Sequence, residues 1–561
     1  AEAAAVRVQF VSGTHAIAAG GVRVDGGVRN DGTFRLLGTA ARGASVTLTA
    51  GTFDNAGTLE LRAEAGRPGT LAAGVVSTGA VLASGPVSVG GAGTVFRLAG
   101  GGLTVAAGGT LTVVGGSVWD GGVLRGGGTV ELVGTFAAAH AATLRSDLTV
   151  PAVGPAVVLA GAVTVDGPGR LVNEGTLELN GDTVRASLVN PGRLVVTGGS
   201  TVGAVENVAG GVLTVGGAGS ATLTATADIA NRGVVEVRPG GGFGGTGLQL
   251  TGGTLVNAAG GEVRLGGSGG SVAVRGAVTN AGLVTVGGPA ALEPTPAAPF
   301  RNTGRVEVGG GDLTVGAGFF GMNPGVAFDS TAGVVEVAAG RSFTLQGGAS
   351  LLDGGGLAGA GTVRLDGSHV ATLSGELELA PTGLQLALPG GVTVRGGGRI
   401  VNRTALTLSG DALDVPVVNW GTLTSTGVDR LGGVDNQPGA TLRVAPAGWG
   451  GRLEVRGGLF NDGRVEVVSA VGLFAPAASV TLTDAPLWNR GVVAFGGGGE
   501  SFLWGGVRNT GRFEAAGGSV RVFAPVGGTA TFANAGGTVL VGPGRTVGLL
   551  VPLAELAGDT L

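Results

Sequence analysis

Residues 171–179 read LVNEGTLEL, and this stretch decides the fold. Its pattern is apolar, any, Asn, any, Gly, any, apolar, any, apolar. The alternation after Gly175 has the two-residue period of a β-strand with one buried face. Asn173 and Gly175 read as turn chemistry. Asn tolerates left-handed dihedrals and bonds its own backbone, and Gly accepts positive φ. The phrase therefore predicts a tight corner followed by a strand of about five residues.

The same phrase returns as VRNDGTFRL around Asn30, FDNAGTLEL around Asn55, LVNPGRLVV around Asn190 and IANRGVVEV around Asn231. It recurs as VTNAGLVTV at Asn280, FRNTGRVEV at Asn302, VVNWGTLTS at Asn419, LFNDGRVEV at Asn461, LWNRGVVAF at Asn489 and VRNTGRFEA at Asn509. Looser copies stand at Asn207, Asn257, Asn402, Asn436 and Asn534. Successive Asn are 17, 17, 24, 26, 23 and 22 residues apart from Asn173 to Asn302, and 17, 17, 25, 28, 20 and 25 apart from Asn402 to Asn534. A quasi-period of 20–25 residues denotes a solenoid. No helical pattern separates the strands, so βαβ units are excluded. The economical reading is one coil per repeat, with two or three short strands and tight corners. Copies then stack strand on parallel strand about 4.8 Å apart. The Asn side chains line up at one corner and bond along the stack, as amide ladders do in cross-β assemblies. At about 22 residues per coil the chain makes roughly 25 coils, a rod on the order of 120 Å long.

Composition narrows the class. Of 561 residues 121 are Gly, roughly three times ordinary usage. All 34 basic residues are Arg, Cys and Tyr are absent, and the net charge is −4. With 43% apolar residues the chain is not disordered. With 22 Pro and no strict three-residue Gly period it is not collagen. Absence of Cys removes disulfide scaffolds and zinc–thiolate sites, and absence of Lys removes a Walker A loop. The near balance of 34 basic and 38 acidic residues gives no basic stripe for nucleic acid. The uncharged run 68–96 is long enough for a membrane span, but its Gly, Ser, Thr and Pro with two-residue alternation read as strands.

Stacking the copies makes a charge test. The outward residue of the strand after each Asn runs Arg35, Glu60 in the first group. It runs Glu178, Val195, Thr214, Glu236, Arg264, Thr285, Glu307 in the second, and Thr407, Thr424, Arg443, Glu466, Ala494, Glu514, Leu540 in the third. Within these groups no two carboxylates are neighbours, and Arg35–Glu60, Glu236–Arg264 and Arg443–Glu466 face each other, as stacked strands favour.

The phrase is missing from about 68–160 and about 309–400, which keep strand-like pieces such as GTVELVG and GTVRLDG. These read as the same solenoid with divergent corners, making 1–561 one continuous body. The Pro-rich segment 288–300 is the best candidate for a protruding loop, and 315–329 is a second. Residues 1–10 and 545–561 read as caps or assembly contacts, because AEAAA and PLAELAG lean helical and solenoid ends need covering.

The phrase and the composition resemble bacterial surface β-solenoids: autotransporter passengers and filamentous-haemagglutinin-like adhesins with Gly/Asn-rich strand repeats. The resemblance covers most of the chain through repeat style. It implies an all-β, right-handed parallel β-helix that is exported and works outside the cell or at its surface. The aromatic, amphipathic strands of a translocator barrel are missing from this sequence.

Chemistry is thin. His15, His140 and His369 are far apart in sequence and read as isolated surface or corner residues, not as a metal site or a triad. No cofactor motif is found. Asp411, Asp414, Asp429 and Asp435 form the densest acidic stretch, where adjacent coils could bring two carboxylates together as a glycosidase requires; the plain reading is turn-forming Asp on a solvated corner. Of the five Trp, at 119, 420, 449, 488 and 504, Trp420 and Trp488 flank the repeat Asn, and the plain reading is core or corner packing; the candidates for glycan contact are Trp449, Trp488 and Trp504. The expected function is a non-enzymatic structural protein, an adhesin or a self-assembling fibre subunit. Its expected partners are other copies of itself and surface glycans, with no membrane span. The alternative is a polysaccharide-binding or polysaccharide-degrading β-helix protein.

Overall fold

The computed structural model describes residues 8–557 apart from 11–12, 19, 40, 65–66, 136–137, 218, 241–244, 295–298, 317–325, 354–355, 447–450, 471–476 and 525–529. The chain is all-β, a parallel β-solenoid of about 23 turns. It divides into two compact units, Ala1–Pro289 and Ala290–Leu561.

In the first unit a regular turn carries three short strands, and in some turns two of these run on as one bent strand, as in Ala44–Asn55 and Pro86–Leu98. One turn is Thr176–Asn180, Thr183–Val184 and Leu188–Asn190; the next is Arg193–Val196, Gly199–Val202 and Val205–Asn207. Each strand pairs in parallel with its counterpart one turn on, so Leu177 meets Leu194, Val184 meets Val202 and Leu188 meets Val205. The inward residues are aliphatic because alternation points every second side chain inward, and all six are buried. The second unit repeats the plan. Leu487–Asn489, Val492–Gly496 and Glu500–Trp504 stack on Leu459–Asn461, Arg464–Val468 and Ser479–Leu482. Its interior adds aromatic columns. Phe513 lies between Phe495 and Phe532, with ring centroids 5.2 and 5.4 Å away.

The divergent stretches keep the solenoid. Gly102 to Val105 continues the column of Ala80 to Ala83, and Ser342 to Gln346 is in register with Thr362 to Asp366. The stacking expected for outward residues is met at each step inside a unit. Arg35 Nε bonds Glu60 at 2.7 Å, and Arg264 reaches Glu236 at 3.1 Å. Arg443 is opposite Glu466, whose carboxylate takes Arg464 at 2.5 Å. One pairing outside those groups departs from the rule. Glu307 is directly opposite Glu336, and Arg305 bridges the two carboxylates. Cross-strand repulsion is thus neutralised by a cation two residues away on the same face.

Several expectations need correction. The repeat Gly does not supply positive φ: Gly57 and Gly491 are outside the left-handed region. What excludes a side chain is the turn below. A Cβ on Gly57 would stand 2.0 Å from the Gly32 carbonyl oxygen, and one on Gly491 would stand 2.1 Å from that of Gly463. The C-terminal segment that leans helical, PLAELAG, contains the strand Leu553–Ala557, parallel to Thr531–Ala535. The open edge of the preceding turn offers unpaired donors and acceptors, and a ladder satisfies them where an isolated helical turn cannot. At the other end Val8–Phe10 is a strand on Val28–Asn30, while AEAAA lies outside the described residues. The two loop candidates contain strand. Within 288–300, Ala290–Glu293 is a strand, and within 315–329 a strand starts at Val326, with 295–298 and 317–325 outside the described residues.

Candidate functional site: polar rows, buried acids and an aromatic cleft

A further correction concerns the Asn ladder. The amides do bond from turn to turn, but not at one corner. In the first unit Asn30 and Asn55 end the second strand of their turns, whereas Asn173 to Asn280 end the third. In the second unit Asn302 ends a third strand, and Asn402 to Asn534 end first strands.

Each amide inside a run is saturated. Asn231 Oδ1 accepts from Asn207 Nδ2 at 2.7 Å. Asn231 Nδ2 donates to Asn257 Oδ1 at 2.7 Å and to the Glu262 carbonyl at 3.0 Å. The links Asn173–Asn190, Asn190–Asn207 and Asn257–Asn280 measure 2.6, 2.7 and 2.6 Å. In the second unit Asn402, Asn419, Asn436, Asn461, Asn489, Asn509 and Asn534 form one chain with links of 2.5–2.8 Å. A strand spacing of about 4.8 Å makes this possible, because an amide is donor on one side and acceptor on the other. The backbone joins in: Asn30 O accepts from the N–H groups of both Ala56 and Gly57. Ser replaces Asn where a row ends, as Asn55 Nδ2 donates to Ser77 Oγ at 2.9 Å and Asn302 Nδ2 to Ser330 Oγ at 3.0 Å.

Two histidines are not surface residues. His140 is buried, with Nε2 2.9 Å from Ser117 Oγ, and Trp119 Nε1 donates to the same oxygen at 3.0 Å. His369 is buried, with Nε2 2.9 Å from Ser350 Oγ and Nδ1 donating to the Gly347 carbonyl at 2.7 Å. These are Ser–His pairs inside the solenoid wall, closed to substrate, and they bond turns together as the Asn do. Burial holds the pKa of both imidazoles below the usual histidine value. A depressed histidine pKa stabilises the fold fully above the unfolded value of about 6.5, and the contribution fades as pH falls below it. Wild type should therefore lose urea resistance relative to His369→Gln between pH 6.5 and 5, with a differential slope of at most about 1.4 kcal/mol per pH unit. Parallel midpoints for the two proteins across this window would refute the assignment.

The acidic stretch resolves into corner staples. Asp411 and Asp429 are buried, not solvated. Asp411 accepts the N–H groups of Val392 and Ser409 at 3.0 and 2.9 Å. Asp429 accepts those of Gly410 and Asp411 at 2.7 and 2.9 Å, that of Gly427 at 3.2 Å and the Ser425 hydroxyl at 2.6 Å. Burial raises the Asp411 pKa, partly offset by the N–H donors. Asp414 is held low by its hydrogen bonds to Arg430 at 2.6 and 2.5 Å. Asp435 is on the outer surface, opposite Phe460. A shallow cleft of about 250 Å³ touches Asp411 and Asp429, but their oxygens are already spent on backbone donors.

The aromatic residues are more open. Trp488 and Phe460 stack in parallel on neighbouring first strands, ring centroids 4.3 Å apart. They border a cleft of about 750 Å³ that also takes in Arg508, Ala533 and Glu555. Trp504 is on a third strand, stacked on Phe523 at 4.3 Å, and does not border this cleft. Trp449 lies outside the described residues. Trp119 is buried, whereas Trp420 is exposed under the Arg403 guanidinium, 5.3 Å from its ring centroid. Residue-type reading singled out Trp488 but not Phe460, Arg508 or Glu555, because only the turn register brings them into one row.

Among the described residues no helix is long and apolar enough to cross a membrane, and no group of three or more His, Cys, Asp or Glu is placed to hold a metal ion. No family model matches the chain, and no curated protein matches it.

Proposed function

We propose that this chain is a non-enzymatic extracellular structural protein of the bacterial cell surface, an adhesin or self-assembling fibre subunit built as a rigid β-solenoid. The observation that carries the reading is the turn-to-turn hydrogen bonding of the buried polar rows. Amides, Ser–His pairs and corner carboxylates spend their hydrogen bonds between turns, which stiffens each unit and leaves these groups committed to architecture. The resemblance of the repeat phrase to exported surface solenoids supports the same class.

Self-assembly has its own support. Charged residues are only 13% of the chain and mean hydropathy is +0.43, which leaves apolar outer faces of the kind that mark association surfaces. A heterologous contact through such faces that does not close generates a filament. Negative-stain electron microscopy over a concentration series tests this. Filaments that lengthen with concentration are expected. Separate particles of constant length at every concentration would remove the fibre reading.

A further inference from the structure

The outer side of the first strands carries a row that the architecture does not use. In register it runs Phe460, Trp488, Arg508, Ala533, Glu555, one residue per turn. Phe460 and Trp488 are parallel to within 1°. Gly458 makes room for that stack. A Cβ there would come within 2.9 Å of the Trp488 ring, and its φ of +96° disfavours any side chain. Ala533 then leaves a gap in the row, flanked one turn away by Arg508 and one turn away by Glu555. At strand spacing the two charged residues are about 10 Å apart along the stack. Among the described residues neither makes an ion pair, whereas the neighbouring Arg490 is held by Asp462 at 2.6 and 2.7 Å.

We propose that this cleft binds a neutral pyranoside chain. An indole beside a small apolar floor suits the C–H face of a sugar ring. A free guanidinium and a free carboxylate on either side of Ala533 suit its hydroxyls, which donate and accept in pairs. One unpaired cation and one unpaired anion leave the cleft without net charge, which selects against uronates and phosphates. A volume of about 750 Å³ lies within the ordinary range for ligand pockets. The site is independent of the scaffold reading, since an enzyme or a fibre on this fold would present the same row.

Calorimetric titration of the full chain with cellohexaose, maltohexaose, chitohexaose and hexagalacturonate tests the proposal. Binding of at least one neutral hexasaccharide and none of hexagalacturonate is expected. Trp488→Ala should weaken it by about tenfold. The surface variants Arg508→Met and Glu555→Met, each of which removes a hydroxyl partner without touching the aromatic stack, should each weaken it by roughly threefold or more. Circular dichroism and the unfolding midpoint check that each variant keeps the fold. No binding of any neutral hexasaccharide, preference for the galacturonate, or wild-type affinity in all three variants would overturn the proposal. So would a Trp488-dependent self-association in the absence of sugar, which assigns the cleft to a second copy.

Discussion

Asn231→Asp is expected to be among the most damaging single-atom changes this chain can suffer. The substitution keeps shape and volume, so packing is held constant. It replaces Nδ2, which donates to Asn257 Oδ1 and to the Glu262 carbonyl, with an oxygen that can only accept. Asn231 is fully buried, so the new carboxylate faces an amide oxygen and a carbonyl oxygen without water. Leaving buried partners unsatisfied costs about 1–3 kcal/mol each, and a buried charge more, so a loss of about 4 kcal/mol or greater is expected near neutral pH. The deficit should shrink on acidification. In the folded variant the carboxyl pKa is raised above its unfolded value of about 4, because protonation restores a donor. The penalty is therefore smallest below that value and grows as pH rises through and beyond it. Hydrogen exchange reads both effects, with protection lost over the turns that contain Asn207, Asn231 and Asn257. An Asn231→Asp protein with wild-type protection at pH 7 would mean that the ladder contributes nothing.

Gly491→Ala is the second large effect, and its comparison with Gly439→Ala separates two reasons for glycine. Gly491 has an ordinary φ, but its Cβ would stand 2.1 Å from the Gly463 oxygen and 2.7 Å from the Asp462 carbonyl carbon. Backbone of the neighbouring turn would have to move, and the ladder from Asn461 to Asn489 with it. A cost of about 3–5 kcal/mol is expected. Gly439 has φ of +82° and nothing within 4 Å of its Cβ position, so alanine there incurs only left-handed strain, about 1–2 kcal/mol. Denaturant unfolding of the two variants should rank them in that order. The reverse order would show that positive φ, and not turn-to-turn approach, dictates the glycines of this chain.

Most of the fold is written in the repeat phrase itself. Two-residue alternation after Asn and Gly defines the strands, and spacing defines the stack. That is why Leu177 meets Leu194, and Arg35 meets Glu60, as the sequence predicts. The amide ladder follows from the same spacing, because identical side chains one strand apart must meet. The phrase is silent about which edge of the turn it occupies. Asn55 and Asn173 are separated by one strand more than a whole number of turns, and so are Asn302 and Asn402. Only the register of the intervening divergent strands reveals that the ladder has moved to another edge. The role of the repeat glycine was equally hidden, since a sequence shows that Gly is present but not what lies 2.0 Å from its missing Cβ.

The candidate sites divide the same way. Trp488 was legible as an aromatic beside a corner. Its row with Phe460, Arg508, Ala533 and Glu555 spans 96 residues of chain, from 460 to 555, and exists only because one turn stacks on the next. Asp411 and Asp429 looked solvated because Asp favours turns, yet the preceding turns supply N–H groups that bury and saturate them. Local patterning sets strand, corner and inward face, since those depend on neighbours in sequence. Edge choice, glycine clearance, buried Ser–His pairs and the composition of an outward row depend on residues about 17 to 28 positions away, and only the stacked structure brings those within reach.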